Sequence, residues 1–206
     1  MKIVTNFRLA LGLLIIPAAT AQAAIVFSEI DLVANTITLT NTDSAAVDLG
    51  GWRFCSHDVD SVRVYSSPTE FDGISLAGSG SYVVDTTSIP FAGLLGNNVM
   101  SIGLYDDLDG SLSFGSPDDL SAFIQFAPVG STELGNSEFR TNTAIAAGLW
   151  DATGSFVEVA PGDTHIVLND LNSSTGASSF TAVPEPSSAL LGMLVGSFFL
   201  ISRRRK

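Results

Sequence analysis

Cys55 and His57 stand two residues apart, and in an extended strand that spacing puts a thiol and an imidazole on one face. A thiol beside a base is the starting point of nucleophilic catalysis, but the device also needs an orienting group and an oxyanion donor. The sequence offers no third partner, so a buried structural thiol is the simpler reading, and no catalytic residue is expected. The other histidine, His165, is remote, and none of the familiar zinc spacings joins the three. Asp106-Asp107-Leu108-Asp109-Gly110-Ser111 gathers three carboxylates ahead of a turn glycine, and hard oxygen ligands of this type suit Ca²⁺. The segment lacks EF-hand spacing and a distal glutamate, so a solvated acidic hairpin tip is the plainer alternative. Ca²⁺ at Asp106, Asp107 and Asp109 is therefore the one cofactor the residues suggest. Trp150, beside Asp151 and a Thr153-Gly154 turn, is the candidate for stacking on a sugar ring, with Tyr65 and Tyr105 behind it; core packing competes for it.

The elements that must position these residues read as strands. Thr36-Ile37-Thr38-Leu39-Thr40 alternates aliphatic and polar, the pattern of a half-buried strand, and Met100 to Leu104, Phe156 to Val159 and His165 to Leu168 repeat it. More continuous runs at Ile25 to Phe27, Tyr82 to Val84 and Ala122 to Phe126 predict strands near the centre of a sheet. Turn residues separate them at Thr42-Asp43-Ser44, Ala77 to Gly80, Asp109-Gly110-Ser111 and Pro161-Gly162-Asp163. Short strands so punctuated predict an all-β antiparallel sandwich or barrel, with one helical or irregular excursion at Thr143 to Leu149. In Asp48-Leu49-Gly50-Gly51-Trp52 the Asp48 carboxylate can cap a sharp reversal and a glycine can supply positive φ, leaving Trp52 to bury its ring.

Charge divides sharply along the chain. Of nine basic residues, Lys2, Arg8, Arg203, Arg204, Arg205 and Lys206 sit at the two ends. Arg53, Arg63 and Arg140 alone face the 20 acidic residues between, so that stretch carries about −17. Such a body repels nucleic acid, whose binding depends on cations neutralising phosphates, and anionic lipid head groups as well. With Cys55 the sole cysteine, no intramolecular disulfide can form.

Both ends read as processing signals. Lys2 and Arg8 flank a start followed by apolar Leu9 to Ile16, then Pro17 and small residues ending in Ala21-Gln22-Ala23. A basic region, a short apolar run and an A-x-A site describe a secretory signal peptide over 1–23, too short to span a bilayer as a helix. At the other end, Val183-Pro184-Glu185-Pro186 precedes the uncharged run 187–202 and the terminal Arg203, Arg204, Arg205 and Lys206. One hydrophobic helix trailed by cations holds its basic end on the cytoplasmic side. The resulting division is signal peptide 1–23, folded domain 24–171, flexible Ser/Thr/Gly linker 172–182 and sorting tail 183–206.

The order of that tail resembles the C-terminal signal of PEP-CTERM proteins of Gram-negative bacteria. The resemblance implies export through a Sec translocon across the inner membrane and transient single-pass anchoring. An exosortase then acts at the Pro-Glu-Pro element, and delivery is to the cell surface or an exopolysaccharide matrix. Within the exported part, Ile25-Val26-Phe27-Ser28-Glu29-Ile30, the strand ending in Asn41 and the Asp48-Leu49-Gly50-Gly51-Trp52 corner resemble the opening of a lamin tail domain. Ile74 to Gly78 with Tyr82-Val83-Val84, and Ser121 to Phe126, are similar to later strands of that family. Thr38 departs from it, standing where an acidic residue is usual. This second resemblance implies an immunoglobulin-like antiparallel β-sandwich. The functional expectation is a non-enzymatic surface or matrix protein with a structural or adhesive role in extracellular polysaccharide. A glycan- or calcium-binding module is the alternative, and a polysaccharide hydrolase with paired carboxylates a more distant one.

Overall fold

A computed structural model describes residues 25–60, 63–97, 99–106 and 110–185. The expected signal peptide, and the expected sorting tail from Pro186 onward, lie outside the described residues. Twelve strands carry the fold: β1 Ile25–Asp31, β2 Thr36–Asn41, β3 Val47–Asp48, β4 Arg53–Asp58, β5 Val64–Tyr65 and β6 Ser75–Leu76. They continue with β7 Ser81–Asp85, β8 Met100–Tyr105, β9 Leu120–Pro128, β10 Val157–Val159, β11 Asp163–Leu168 and β12 Phe180–Pro184. Among the described residues the one α-helix, α1, spans Thr141–Ala146 and follows a 3₁₀ segment, Gly135–Arg140. Among the described residues no helix is long and apolar enough to cross a membrane.

The protein is all-β. One five-stranded sheet runs β12-β11-β1-β2-β7 and the other β10-β9-β8-β4-β5, with the short pair β3-β6 at the side. Every pairing is antiparallel except β10 on β9. The sheets meet across a continuous apolar core, in which Phe27 of β1 stacks on Phe54 of β4 at 6.2 Å. In β2, Ile37 and Leu39 point into it while Thr36 and Thr38 stay half-buried, as the alternation predicts.

The predicted corner forms through local hydrogen bonds. The Gly50 N–H donates to Asp48 Oδ1 (3.0 Å), Trp52 N–H donates to the Leu49 carbonyl (3.0 Å), and Leu49 and Trp52 are buried. Gly51 takes the positive φ, +82°, that the reversal needs. Asn41 locks the neighbouring loop: its buried amide donates to the carbonyls of Ala45 (2.7 Å) and Leu76 (3.1 Å) and accepts the Asp43 N–H.

Two expectations need correction. Met100 to Leu104 reads as half-buried, yet every residue of β8 is buried. Ser101 and Gly103 occupy its second face, which the 131–150 segment covers: Ser101 Oγ donates to the Ser137 carbonyl at 2.5 Å. Small side chains mark that face because something packs on it closely, which alternation alone cannot distinguish from solvent exposure. The stretch 172–182, expected as a flexible linker, instead enters the fold. Phe180 is buried opposite Leu168, and Thr181, Ala182, Val183 and Pro184 extend the β11 edge. Composition conceals this strand, because its backbone ladder needs no particular side chains and only Phe180 contributes large apolar surface.

Candidate functional site

The outer face of the β10-β9-β8-β4-β5 sheet holds the polar residues that neither sheet core absorbs. Alternation along β4 sends Phe54 inward, against Phe71 and Phe91 as well as Phe27, and turns Arg53, Cys55 and His57 outward. Register places Tyr105 of β8 beside Arg53, Gly103 beside Cys55 and Ser101 beside His57. On the next strand Gln125 lies opposite Ser101 and Phe123 opposite Gly103. Glycine is required at 103: a Cβ there would come within 2.7 Å of the Tyr105 ring.

The 131–150 segment roofs this face. Thr141 at the start of α1 donates through Oγ1 to Gln125 Oε1 (2.8 Å), Phe139 stacks on His57 with centroids 5.3 Å apart, and Trp150 meets Phe123 edge-on at 5.3 Å. Trp150 is therefore buried, 2 % exposed, with its Nε1–H donated to the Ser155 carbonyl. The expectation that its ring stacks on a sugar is overturned, because Phe123 and the roof segment already occupy its surroundings. Tyr105 is buried too, and Tyr65 is half-buried against Phe114.

The same-face prediction for Cys55 and His57 holds: Sγ and Nε2 are 3.2 Å apart. Their electrostatics work against nucleophilic chemistry. Burial pushes the thiol up to about 11, and the opposing pull of Arg140, Arg63 and Arg53 does not offset it. Burial also lowers His57 to about 4, with Arg140 and Arg63 adding repulsion. Both groups stay neutral at physiological pH, so the pair is a thiol touching an imidazole rather than a thiolate–imidazolium couple. His165 belongs to the other sheet, away from Cys55 and His57, with Nε2 3.4 Å from Asp31 and 3.6 Å from Glu29.

Neutral His57 carries a pH signature. The unfolded chain takes up a proton at the ordinary value of 6.5, whereas the folded chain refuses it down to about 4. Stability contributed by His57 is complete above pH 6.5 and is lost as pH falls through that window, by about 2 kcal/mol after discounting for screening. Urea midpoints of the native chain and His57→Asn from pH 7 to pH 4 test this, since carboxylate effects are common to both. Curves that stay parallel throughout would rule it out.

The remaining expected residues are dispersed. Asp106 accepts a hydrogen bond from Ser121 Oγ at 2.6 Å, while Asp107 and Asp109 lie outside the described residues. Among the described residues no group of three His, Cys, Asp or Glu side chains is placed to hold a metal ion. Asp119 is occupied locally, accepting the Ser113 N–H at 2.6 Å. Asp48, Leu49, Gly51 and Trp52 come together as a structural corner. Val183 and Pro184 end β12 and Glu185 follows it exposed, while Pro186, Arg203, Arg204, Arg205 and Lys206 lie outside the described residues.

Sequence reasoning missed Arg140 and Gln125, and considered Tyr105 only as an aromatic behind Trp150. Arg140 donates from Nη2 to the Tyr65 hydroxyl (3.3 Å) and stands over the Phe139 ring at 4.8 Å. Its Nε, the Tyr105 hydroxyl and the Gln125 amide nitrogen are buried without a hydrogen-bond partner. The one advance signal was scarcity, since Arg140 is among only three cations between Ala24 and Ala182. Compared with family models and with curated proteins, the chain matches none.

Proposed function

We propose that this chain is an exported, non-enzymatic protein of the cell surface or extracellular matrix. Its sandwich, immunoglobulin-like in the manner of a lamin tail domain, is freed from a transient anchor by exosortase-type processing at Val183-Pro184-Glu185-Pro186. The observation that carries this reading is where the described fold stops: the last strand, β12, ends at Pro184, on the first proline of the motif. Cleavage at or beyond that proline would leave every described strand in place. The neutral Cys55–His57 pair supports the non-enzymatic part, and a charge of about −17 suits a body kept apart from anionic membrane surfaces.

Intact mass of the protein recovered outside the cells tests the reading. The expected N-terminus is Ala24 or Ile25 and the expected C-terminus lies between Pro184 and Pro186. Glu185→Ala changes an exposed side chain beyond β12, so it should leave the melting temperature unchanged while keeping the chain untrimmed in the membrane fraction. Cell-free protein still ending at Lys206 would refute the proposal.

A further inference from the structure

All three cations of the −17 body converge on one surface. Arg53 on β4, Arg63 just before β5, and Arg140 at the end of the 3₁₀ segment all act electrostatically on the same Cys55 thiol. Arg53 lies 5.0 Å from the Phe114 ring centre, and Arg63 and Arg140 lie 4.1 and 4.8 Å from that of Phe139. Among the described residues, no carboxylate comes within ion-pairing distance of any of the three. Ring contacts and neutral acceptors hold the three guanidinium groups, Arg53 Nε donating to the Ser66 carbonyl at 2.8 Å, but no anion offsets their like charge.

A second observation points to a ligand. The Arg140 Nε and the hydroxyl of Tyr105, a residue 0 % exposed, are buried donors with no partner. The Tyr105 hydroxyl lies within electrostatic reach of Cys55, Arg140, Tyr65 and the Asp119 carboxylate, and its ring meets Phe114, over which Arg53 stands, at 5.0 Å. Unmet buried donors beside unpaired guanidinium groups are the complement of an oxyanion.

We infer that Arg53, Arg63 and Arg140 form a binding site for the carboxylate of an acidic saccharide. A guanidinium fork matches a carboxylate in a bidentate fashion. Phe139, 50 % exposed, holds two of the guanidinium groups in place, with Arg63 4.1 Å and Arg140 4.8 Å from its ring centre. The overall −17 disfavours polymers as densely charged as nucleic acid, whereas a chain of uronic acids spaces its charges a sugar apart. The choice of a saccharide rests on the matrix reading above, which the mass measurement judges separately.

Isothermal titration of the full chain with a uronic-acid trisaccharide, in EDTA to exclude bridging by divalent cations, is the test. Its comparison arms are the neutral trisaccharide of the same linkage and sodium sulfate. Saturable binding of the uronic-acid sugar alone is expected, weakened about tenfold or more by Arg140→Gln and by Arg63→Gln, as for loss of a charge-assisted hydrogen bond. Arg63 is exposed, so its variant keeps the test open if Arg140→Gln disturbs the roof. Sulfate bound as tightly as the sugar would reduce the site to an oxyanion pocket and overturn the saccharide assignment. Equal binding of the neutral sugar, no binding at all, or affinity untouched by Arg63→Gln would overturn the proposal outright, whatever the outcome at the C-terminus.

Discussion

Phe54→Ala should lower the stability of the sandwich by about 3–5 kcal/mol, the cost of deleting a fully buried aromatic ring. Phe54 has no exposed surface and sits at the meeting point of both sheets. Its ring stacks on Phe27 at 6.2 Å and takes edge contacts from Phe71 at 5.5 Å and Phe91 at 5.8 Å. No neighbour can collapse into the space, because each of those rings is anchored in its own strand or loop. A domain of this size is stable by roughly 5–15 kcal/mol, so the variant loses a large share of the total. Urea denaturation followed by tryptophan fluorescence measures the change. A loss below about 1 kcal/mol would mean that Phe54 is not central to the inter-sheet core.

Cys55 should be nearly inert to alkylation in the folded protein. Its thiol, 1 % exposed, is pushed up to about 11 from an ordinary value of 9.0. Two units reduce the thiolate population at pH 8 by about a hundredfold, and the thiolate is the form that reacts. Burial adds a second factor, since reagent reaches the sulfur only when the 131–150 roof or the β4–β8 pairing opens. Iodoacetamide labelling read by intact mass should run at least about a hundred times slower in the native chain than in 6 M guanidinium. The native rate should keep climbing toward pH 11 rather than levelling near 9. A native rate within tenfold of the unfolded one would restore Cys55 as a reactive group and undo the non-enzymatic reading.

These two residues neighbour one another in sequence and face opposite ways, and strand alternation makes that much legible without any structure. Thr36 to Asn41 was equally readable, because side chains of period two need a sheet with one apolar side. The corner from Asp48 to Trp52 was legible for a different reason: its hydrogen bonds join residues two or three apart, so local sequence contains all the participants. Trp150 marks the opposite case. A tryptophan near a turn can face solvent or core, and what decided it was Phe123, 27 positions earlier and on another strand.

The chain's own order of residues determined its strands, its corner, its strongly acidic middle and the signals expected at either end, since each depends on neighbours or on simple composition. Tertiary structure alone decided that β8 is covered on both faces, that Phe180–Pro184 completes a sheet, and that Arg53, Arg63 and Arg140 share one surface. Those outcomes arise from sheet order and from a roof segment folding back across β4, β8 and β9. Contacts of that kind are made between residues tens of positions apart, where hydrophobic burial rather than local hydrogen bonding selects the partner.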